Sequence, residues 1–509
     1  MRFYTYILVL LMTSNILAQE PPKFLFKSVY GPTVNSSGNL LLFDKSRDRA
    51  FGIYDLQKDK VFKTKKLGKE FKAAAAPLSI GDRWVYLSNP LYPKMAKASY
   101  TVIELDERGK MSYSAPFFDC EEKLGSYKFY GLTSTTSQVA FRNRMTKSKN
   151  EKYILSVASK IYGGQSMRES LNISLKDYRK SNEVVQFALM NSKLEVVKKG
   201  SYDANLTRGY VERFQFFVSS IGDIYFVYIL RQEFVGKSNR IIIVKVPGEG
   251  ESVEKVIFNL PKFNTTTASV HFTDDKIQLM GIAELFSKDD QGKVEGIYYA
   301  EVNLSSMNID KSNVIVFSQK QKDKLNQIYS ENESALVKRE DNSEIFPQIQ
   351  GSIFPYGDGK MGFLMRYDVP VKTAGNVLTP GYVVGHSYSS YFLMRLGADQ
   401  KSILDITSFK NANGQSDKGC SFVTYKNDKY FLYSEGRICY GVKIPSDGTS
   451  SIKKEIKIGA MGDFDLSYTF RGGSGIQIKD SPEYYFSMSY VNKKGMIKSG
   501  VARMRLNFE

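Results

Sequence analysis

Short apolar runs of strand length recur along the chain, each introduced by a polar turn. In residues 32–56, Ser36-Ser37-Gly38-Asn39 is a turn signal, and Gly38 is free to adopt φ > 0. Leu40-Leu41-Leu42-Phe43 follows, then a polar connection, then Ile53-Tyr54-Asp55-Leu56. Apolar runs this short, bounded by turn residues, read as strands. The same event recurs seven more times. Gly81-Asp82 precedes Trp84–Leu87, Thr135-Thr136-Ser137 precedes Val139–Phe141, and Gly222-Asp223 precedes Ile224–Tyr228. Asp274-Asp275 precedes Ile277–Met280, and Gly357-Asp358-Gly359 precedes Met361–Leu364. Asn427-Asp428 precedes Tyr430–Tyr433, and Asp480-Ser481-Pro482 precedes Tyr484–Phe486. Further strands follow within most units, such as Thr101–Leu105, Ile241–Val244, Ile297–Ala300 and Tyr391–Met394.

Four short antiparallel strands per unit, repeated, predict a β-propeller. A single four-stranded sheet has two apolar faces and cannot bury them alone; blades packed around an axis bury both. The count predicts an all-β, single closed propeller of eight blades, with seven as the alternative. Lys23–Val29 alternates as a strand without a hairpin partner, and the last unit, residues 476–506, supplies about three strands. The N-terminal strand is therefore expected to complete the last blade. No long amphipathic helix is predicted; Ser166–Tyr178 is the best helical stretch, and it is short.

Pro32, Gly38 and Phe43 fall in register with the WD40-like repeat of TolB-type and tricorn-type propellers, Pro-x-x-Ser-Pro-Asp-Gly followed by a strand ending in Phe. Asn35, Ser36 and Ser37 stand at its Ser, Pro and Asp positions, so the first unit resembles that repeat in part. Asp358-Gly359-Lys360 echoes it. The resemblance implies a fold and no activity.

Composition agrees with strands: 13% of residues are aromatic, with 33 Tyr and 33 Phe against one Trp. At the N-terminus, Met1-Arg2, the apolar Tyr6–Met12 and Ile16-Leu17-Ala18 form a secretory leader pattern, with cleavage expected before Gln19. Residues 1–18 are thus expected to be removed and 19–509 to form the propeller. The apolar run is short for a bilayer span and no other span is predicted, so no transmembrane anchor is expected after cleavage. Three cysteines, Cys120, Cys420 and Cys439, are too few for a disulfide framework. Cys420 and Cys439 are expected on the first and third strands of one unit, beyond disulfide reach. Low Cys with abundant Lys and Asn points to a secreted or periplasmic protein of a bacterial envelope. In that setting the six Asn-x-Ser/Thr matches, from Asn35 to Asn332, carry no glycan.

The formal charge is +18, or +17 once Arg2 leaves with the leader. Outside the cytoplasm, a basic surface favours an anionic polysaccharide, lipid head groups or an acidic protein over nucleic acid. Lys58–Lys72 is the densest basic run and is expected on an outer strand, where charge also blocks edge-to-edge aggregation.

Catalytic patterns are not found. The two histidines, His271 and His386, lie in different units, and no HExxH spacing occurs. No GxSxG elbow is present, and Gly472-Gly473-Ser474-Gly475 lacks the Lys-Ser/Thr of a phosphate loop. One Trp excludes the Trp-rich repeats of quinone-dependent propellers, and repeated Asp-box turns are not seen. Ser287-Lys288-Asp289-Asp290 reads as a solvated turn rather than a calcium loop. No catalytic residue, cofactor or metal is therefore assigned. Three long segments, 161–183, 319–344 and 369–389, exceed what a blade needs and are the places where a ligand or partner is expected. The sequence thus predicts a monomeric, non-catalytic binding or scaffold protein. The alternative is a carbohydrate-active hydrolase or lyase whose carboxylates or tyrosines are spread over several blades.

Overall fold

Each turn-and-strand unit becomes one antiparallel four-stranded sheet, and eight such sheets form an eight-bladed propeller. The structure is a computed structural model. It describes residues 23–26, 33–43, 50–56, 58, 60–66, 71–73, 77–90, 98–113, 118–120, 144–159, 182–207, 211–230, 239–260, 263–264, 269–285, 294–325, 349–356, 360–372, 383–411, 420–425, 428–435, 438–445, 455–460, 468–470, 476–477, 483–491 and 497–506. The leader pattern, Ser287–Asp290 and Gly472–Gly475 lie outside these residues.

Blade 1 runs Thr33–Val34, Asn39–Phe43, Ala50–Asp55 and Lys60–Lys66 from the inside out. The first strands of successive blades approach one another and so mark the axis: Thr33 Oγ1 donates to Pro77 O at 3.4 Å, and Ile353 N to Ser269 Oγ at 3.0 Å. Blade 8 is closed by Lys23–Phe26, which pairs antiparallel with Ile497–Arg505, placing Lys23 opposite Arg503 and Phe24 opposite Ala502. The closing strand anticipated from the sequence is therefore present. The basic run also lies as expected, since Lys60–Lys66 is the outermost strand of blade 1.

The core is a series of seams between blades. Phe51 and Ile53 of blade 1 pack with Trp84 and Ile80 of blade 2. Other clusters join blades 3 and 4, 4 and 5, 5 and 6, 6 and 7, and 7 and 8. Leu40 and Tyr54 meet Tyr485 and Val501 across the seam between blades 8 and 1. Trp84, fully buried, also donates its indole N–H to Thr33 O at 3.1 Å. Both faces of each sheet are consumed this way, which explains why Ile224–Leu230 is buried at every position.

Two details differ from the sequence reading. The first hairpin of blade 3 lies at residues 148–152, between Arg144–Lys147 and Tyr153–Ser159; the turn and strand expected over 135–141 lie outside the described residues. Residues 369–372 and 383–389 extend the two central strands of blade 6, with Pro370 opposite His386 and Val371 opposite Gly385. Register shifts beside Pro370 absorb its missing N–H.

Candidate functional site

Antiparallel strands make the two rims of the ring chemically unlike. First-to-second and third-to-fourth connections leave one rim; second-to-third and blade-to-blade connections leave the other. The first rim carries tight hairpins such as 35–38, 81–82, 148–152, 219–223 and 273–275. The three widest intervals between described strands, 121–143, 160–181 and 317–348, all fall between strand ends on the second rim.

The hairpin rim is stapled from blade to blade. Ser36 N donates to Gly81 O at 2.8 Å, and Asn35 Nδ2 to Asp82 O at 2.6 Å. Gly81 N donates to Glu151 Oε2 at 2.8 Å, Asn150 Nδ2 to Ser220 O at 2.9 Å, and Ser220 N to Asp274 Oδ1 at 3.0 Å. Five successive hairpins are thereby joined. Gly38 has φ +75° and Gly222 φ +94°, the left-handed geometry that favours glycine. A cleft of about 580 Å³ opens on this rim, lined by Gly81, Arg83, Glu104, Asp106, Glu151 and Ser192 among others. Two of its carboxylates are ion-paired: Arg83 meets Glu104 at 3.1 Å and donates to Ser192 O, while Glu151 meets Lys147. Burial pulls the Glu151 carboxyl upward, but hydrogen bonds from Lys147 and Gly81 N and the Lys147 charge hold it below the usual range.

A buried ionisable cluster lies in blade 5, facing blade 6. Gln278 Nε2 donates to Tyr299 Oη at 2.8 Å and to Glu301 Oε2 at 3.2 Å; Tyr299 Oη donates to Glu301 Oε2 at 2.8 Å. Lys276 Nζ stands 3.3 Å from Glu301, which is 6% exposed. Burial alone would raise the Glu301 carboxyl, but the Tyr299 hydrogen bond and the Lys276 and Lys311 charges hold it low. Burial and Glu301 push the Tyr299 hydroxyl well above the usual phenol range. A general acid or base works best near ambient pH. This carboxyl and this phenol are shifted away from it in opposite directions. Gln400, 3% exposed at φ +58°, presses into the same seam and accepts Asn313 Nδ2 at 2.9 Å on its carbonyl.

The residues singled out in the sequence are dispersed. His271 sits on the first strand of blade 5, opposite Gln278, and His386 on the third strand of blade 6. Burial, then the charges of Lys429 and Lys276, hold the His271 imidazole below its ordinary value. Lys429 is itself lowered by burial and donates to Pro355 O at 2.9 Å. Cys420 lies on the first strand of blade 7 and Cys439 on the third, with Asp428–Glu435 between them. Cys120 ends the outer strand of blade 2. Of the long segments, residues 319–325 form a short helix. Its capping pair is reciprocal: Ser318 N donates to Gln321 Oε1 at 2.8 Å, and Gln321 N to Ser318 Oγ at 3.3 Å. Leu325 is buried in the seam between blades 5 and 6, and Lys324 donates to Ile406 O. Residues 160–181 and 326–344 lie outside the described residues. Among the described residues, no group of three or more metal-type ligands converges, and no helix is long and apolar enough to cross a membrane.

No family model and no curated protein sequence matches the chain. Among solved structures, polysaccharide lyase Uly1 aligns with a TM-score of 0.41 and 12% identity, over 95% of this chain and 100% of that one. The Dos1 propeller aligns at 0.45 and 8%, over 96% and 94%. BamB from Moraxella catarrhalis aligns at 0.34 and 9%, over 79% of each. Likeness at this level assigns no activity.

Proposed function

We propose that the chain is an exported, envelope-associated binding protein that performs no chemistry of its own and receives a macromolecular partner on the rim carrying the long connections. The single observation behind this reading is the asymmetry of the rims. One rim is tied hairpin to hairpin by hydrogen bonds; the three widest intervals between described strands fall on the other. A rigid scaffold presenting variable loops on one side is the usual arrangement of a recognition surface.

The test is site-specific photocrosslinking in the cells that produce the protein. A photoreactive residue is placed at Ser174 or Asn332 in the long connections, and at Lys149 or Asp274 in the stapled hairpins. Discrete adducts from the first pair alone are expected. Equal adducts from both pairs, or adducts only from the hairpins, would overturn the reading.

A further inference from the structure

The inner strand of blade 6, Ile349–Tyr356, pairs on one side with Lys360–Lys372, and its other edge faces the axis. In an antiparallel pair the N–H and C=O of one residue point to the same side, and successive residues point to opposite sides. Ile353 N donates to Ser269 Oγ of blade 5 at 3.0 Å, so Ile353 and Pro355 turn their backbone groups to the axial edge. Pro355 has no N–H to offer there. Its carbonyl accepts Lys429 Nζ of blade 7 at 2.9 Å, and that ammonium stands 5.9 Å from the centre of the Phe354 ring. Lys429 thus reaches out of blade 7 to the axial edge of blade 6.

His271 comes to the same edge from the other side. It lies two residues beyond Ser269 on the inner strand of blade 5, opposite Gln278 and on the same face of the sheet. That face carries Gln278, Tyr299 and Glu301 and is turned to blade 6. The inner strands of blades 5 and 6 run in the same direction, toward their first hairpins. With Ser269 level with Ile353, His271 is level with Pro355, the residue that holds Lys429. A basic side chain from blade 5 and another from blade 7 therefore converge on one residue of blade 6.

Neither has a carboxylate partner among the described residues. A charge withdrawn from water is normally paired. Asp428, beside Lys429 in sequence, stands on the other face of the strand and meets Lys443 at 2.7 Å. Burial lowers the Lys429 ammonium, and no neighbouring carboxylate offsets it. The His271 ring makes no hydrogen bond among the described residues, and the charges acting on it are those of Lys429 and Lys276. Lys276 is balanced by Glu301 at 3.3 Å, which also accepts from Tyr299. His271, Pro355 and Lys429 all keep partial exposure, so a solute can reach them.

We propose that Lys429 and His271 hold a carboxylate at the axial edge of Pro355, that of a small organic acid or of an acidic sugar. The ammonium and one imidazole N–H can each serve one of its two oxygens. The site is separate from the rim proposed to receive a macromolecule.

The test uses the full mature chain labelled at histidine. His271 and His386 are its only histidines, and His386, opposite Pro370 toward the other rim, is the internal reference. Ring signals are followed by NMR during titration with acetate, galacturonate, neutral galactose and, at matched ionic strength, sodium chloride. A carboxylate is expected to move the His271 signal saturably and to raise the pH at which that ring titrates, because a bound anion favours imidazolium. His386 should stay in place. Movement with both acids identifies a site for the carboxylate alone; movement with galacturonate only identifies an acidic-sugar site. Lys429→Met should weaken binding by about tenfold or more, the loss of one charge-assisted hydrogen bond. Lys199→Met, at an exposed lysine elsewhere, should bind as wild type. No movement with either acid, equal movement with chloride or galactose, or wild-type affinity in folded Lys429→Met would each overturn the proposal. Melting curves establish folding; if Lys429→Met does not fold, the wild-type titrations and His271→Gln, which should weaken binding read by calorimetry, decide. Loss of crosslinks at the long connections leaves the His271 signal unaffected, so the two readings fail separately.

Discussion

Tyr54 of blade 1 and Tyr485 of blade 8 meet edge to face across the closing seam, ring centroids 6.2 Å apart and planes at 66°. Tyr485 is fully buried and Tyr54 is 3% exposed. This pairing of residues far apart in sequence forms only when the ring closes, and the N-terminal strand on the same blade holds it shut. Truncating Tyr485 to Ala is expected to cost about 3 kcal/mol, the usual loss for a large buried aromatic. Deleting Lys23–Phe26 uncovers the edge of Ile497–Arg505 and should produce aggregation, read by size-exclusion chromatography. A truncated chain that remains monodisperse and melts with wild type would contradict the closure.

Glu301 makes the stability of the seam between blades 5 and 6 dependent on pH. Its folded carboxyl lies below the ordinary value of 4.5. A lowered carboxyl stabilises the fold fully above the unfolded value and loses that contribution as pH falls through the folded one. Glu301→Gln should therefore destabilise at neutral pH by roughly 1–3 kcal/mol, the cost of leaving buried partners unsatisfied. The gap from wild type should narrow as pH falls below the ordinary carboxyl value of 4.5 and through the lower folded one. Denaturant titrations of both proteins across this range check the sign.

Two glycines separate backbone strain from steric exclusion. A Cβ at Gly38 meets nothing within 4 Å, but φ is +75°, so Gly38→Ala should cost only the left-handed penalty of about 1 kcal/mol. A Cβ at Gly296 would stand 2.1 Å from Ile315 O, a backbone atom of the paired outer strand. Gly296→Ala should cost several times more, and the comparison is read from the two melting midpoints.

Asn150 tests the staple and the division of labour between rims together. Its Nδ2 donates to Ser220 O, and its Oδ1 accepts Ser148 Oγ at 2.8 Å and Lys152 N at 3.2 Å. Asn150→Ala should lower stability by about 1 kcal/mol while leaving crosslinking from the long connections unchanged. Loss of those crosslinks in a folded variant would place the partner on the wrong rim.

Turns and closure were the legible part of the fold. Gly38 is the clearest case, since a turn glycine before Leu40–Phe43 can be read locally, and its φ is +75°. The outer position of the lysine run and the strand between Cys420 and Cys439 followed from the same count of strands. Residues 369–389 resisted because Pro370, Gly375, Pro380 and Gly381 carry loop propensity, while cross-strand pairing in blade 6 overrides it at Pro370. The Glu301 cluster was hidden because its members come from separate strands. A trace was there to find: Lys276 and Gln278, and Tyr299 and Glu301, are polar residues at alternate positions inside otherwise apolar strands. Their meeting depends on register, which composition does not carry.

The central claim is that the protein binds and does not cleave. The direct measurement is to incubate the mature chain with each anionic polysaccharide that retains it, and to follow bound polymer and new reducing or unsaturated ends in the same samples. Retention that weakens with salt, with end formation no faster than in protein-free polymer, is the predicted result. Ends that accumulate in proportion to protein concentration would contradict the account and establish an enzyme.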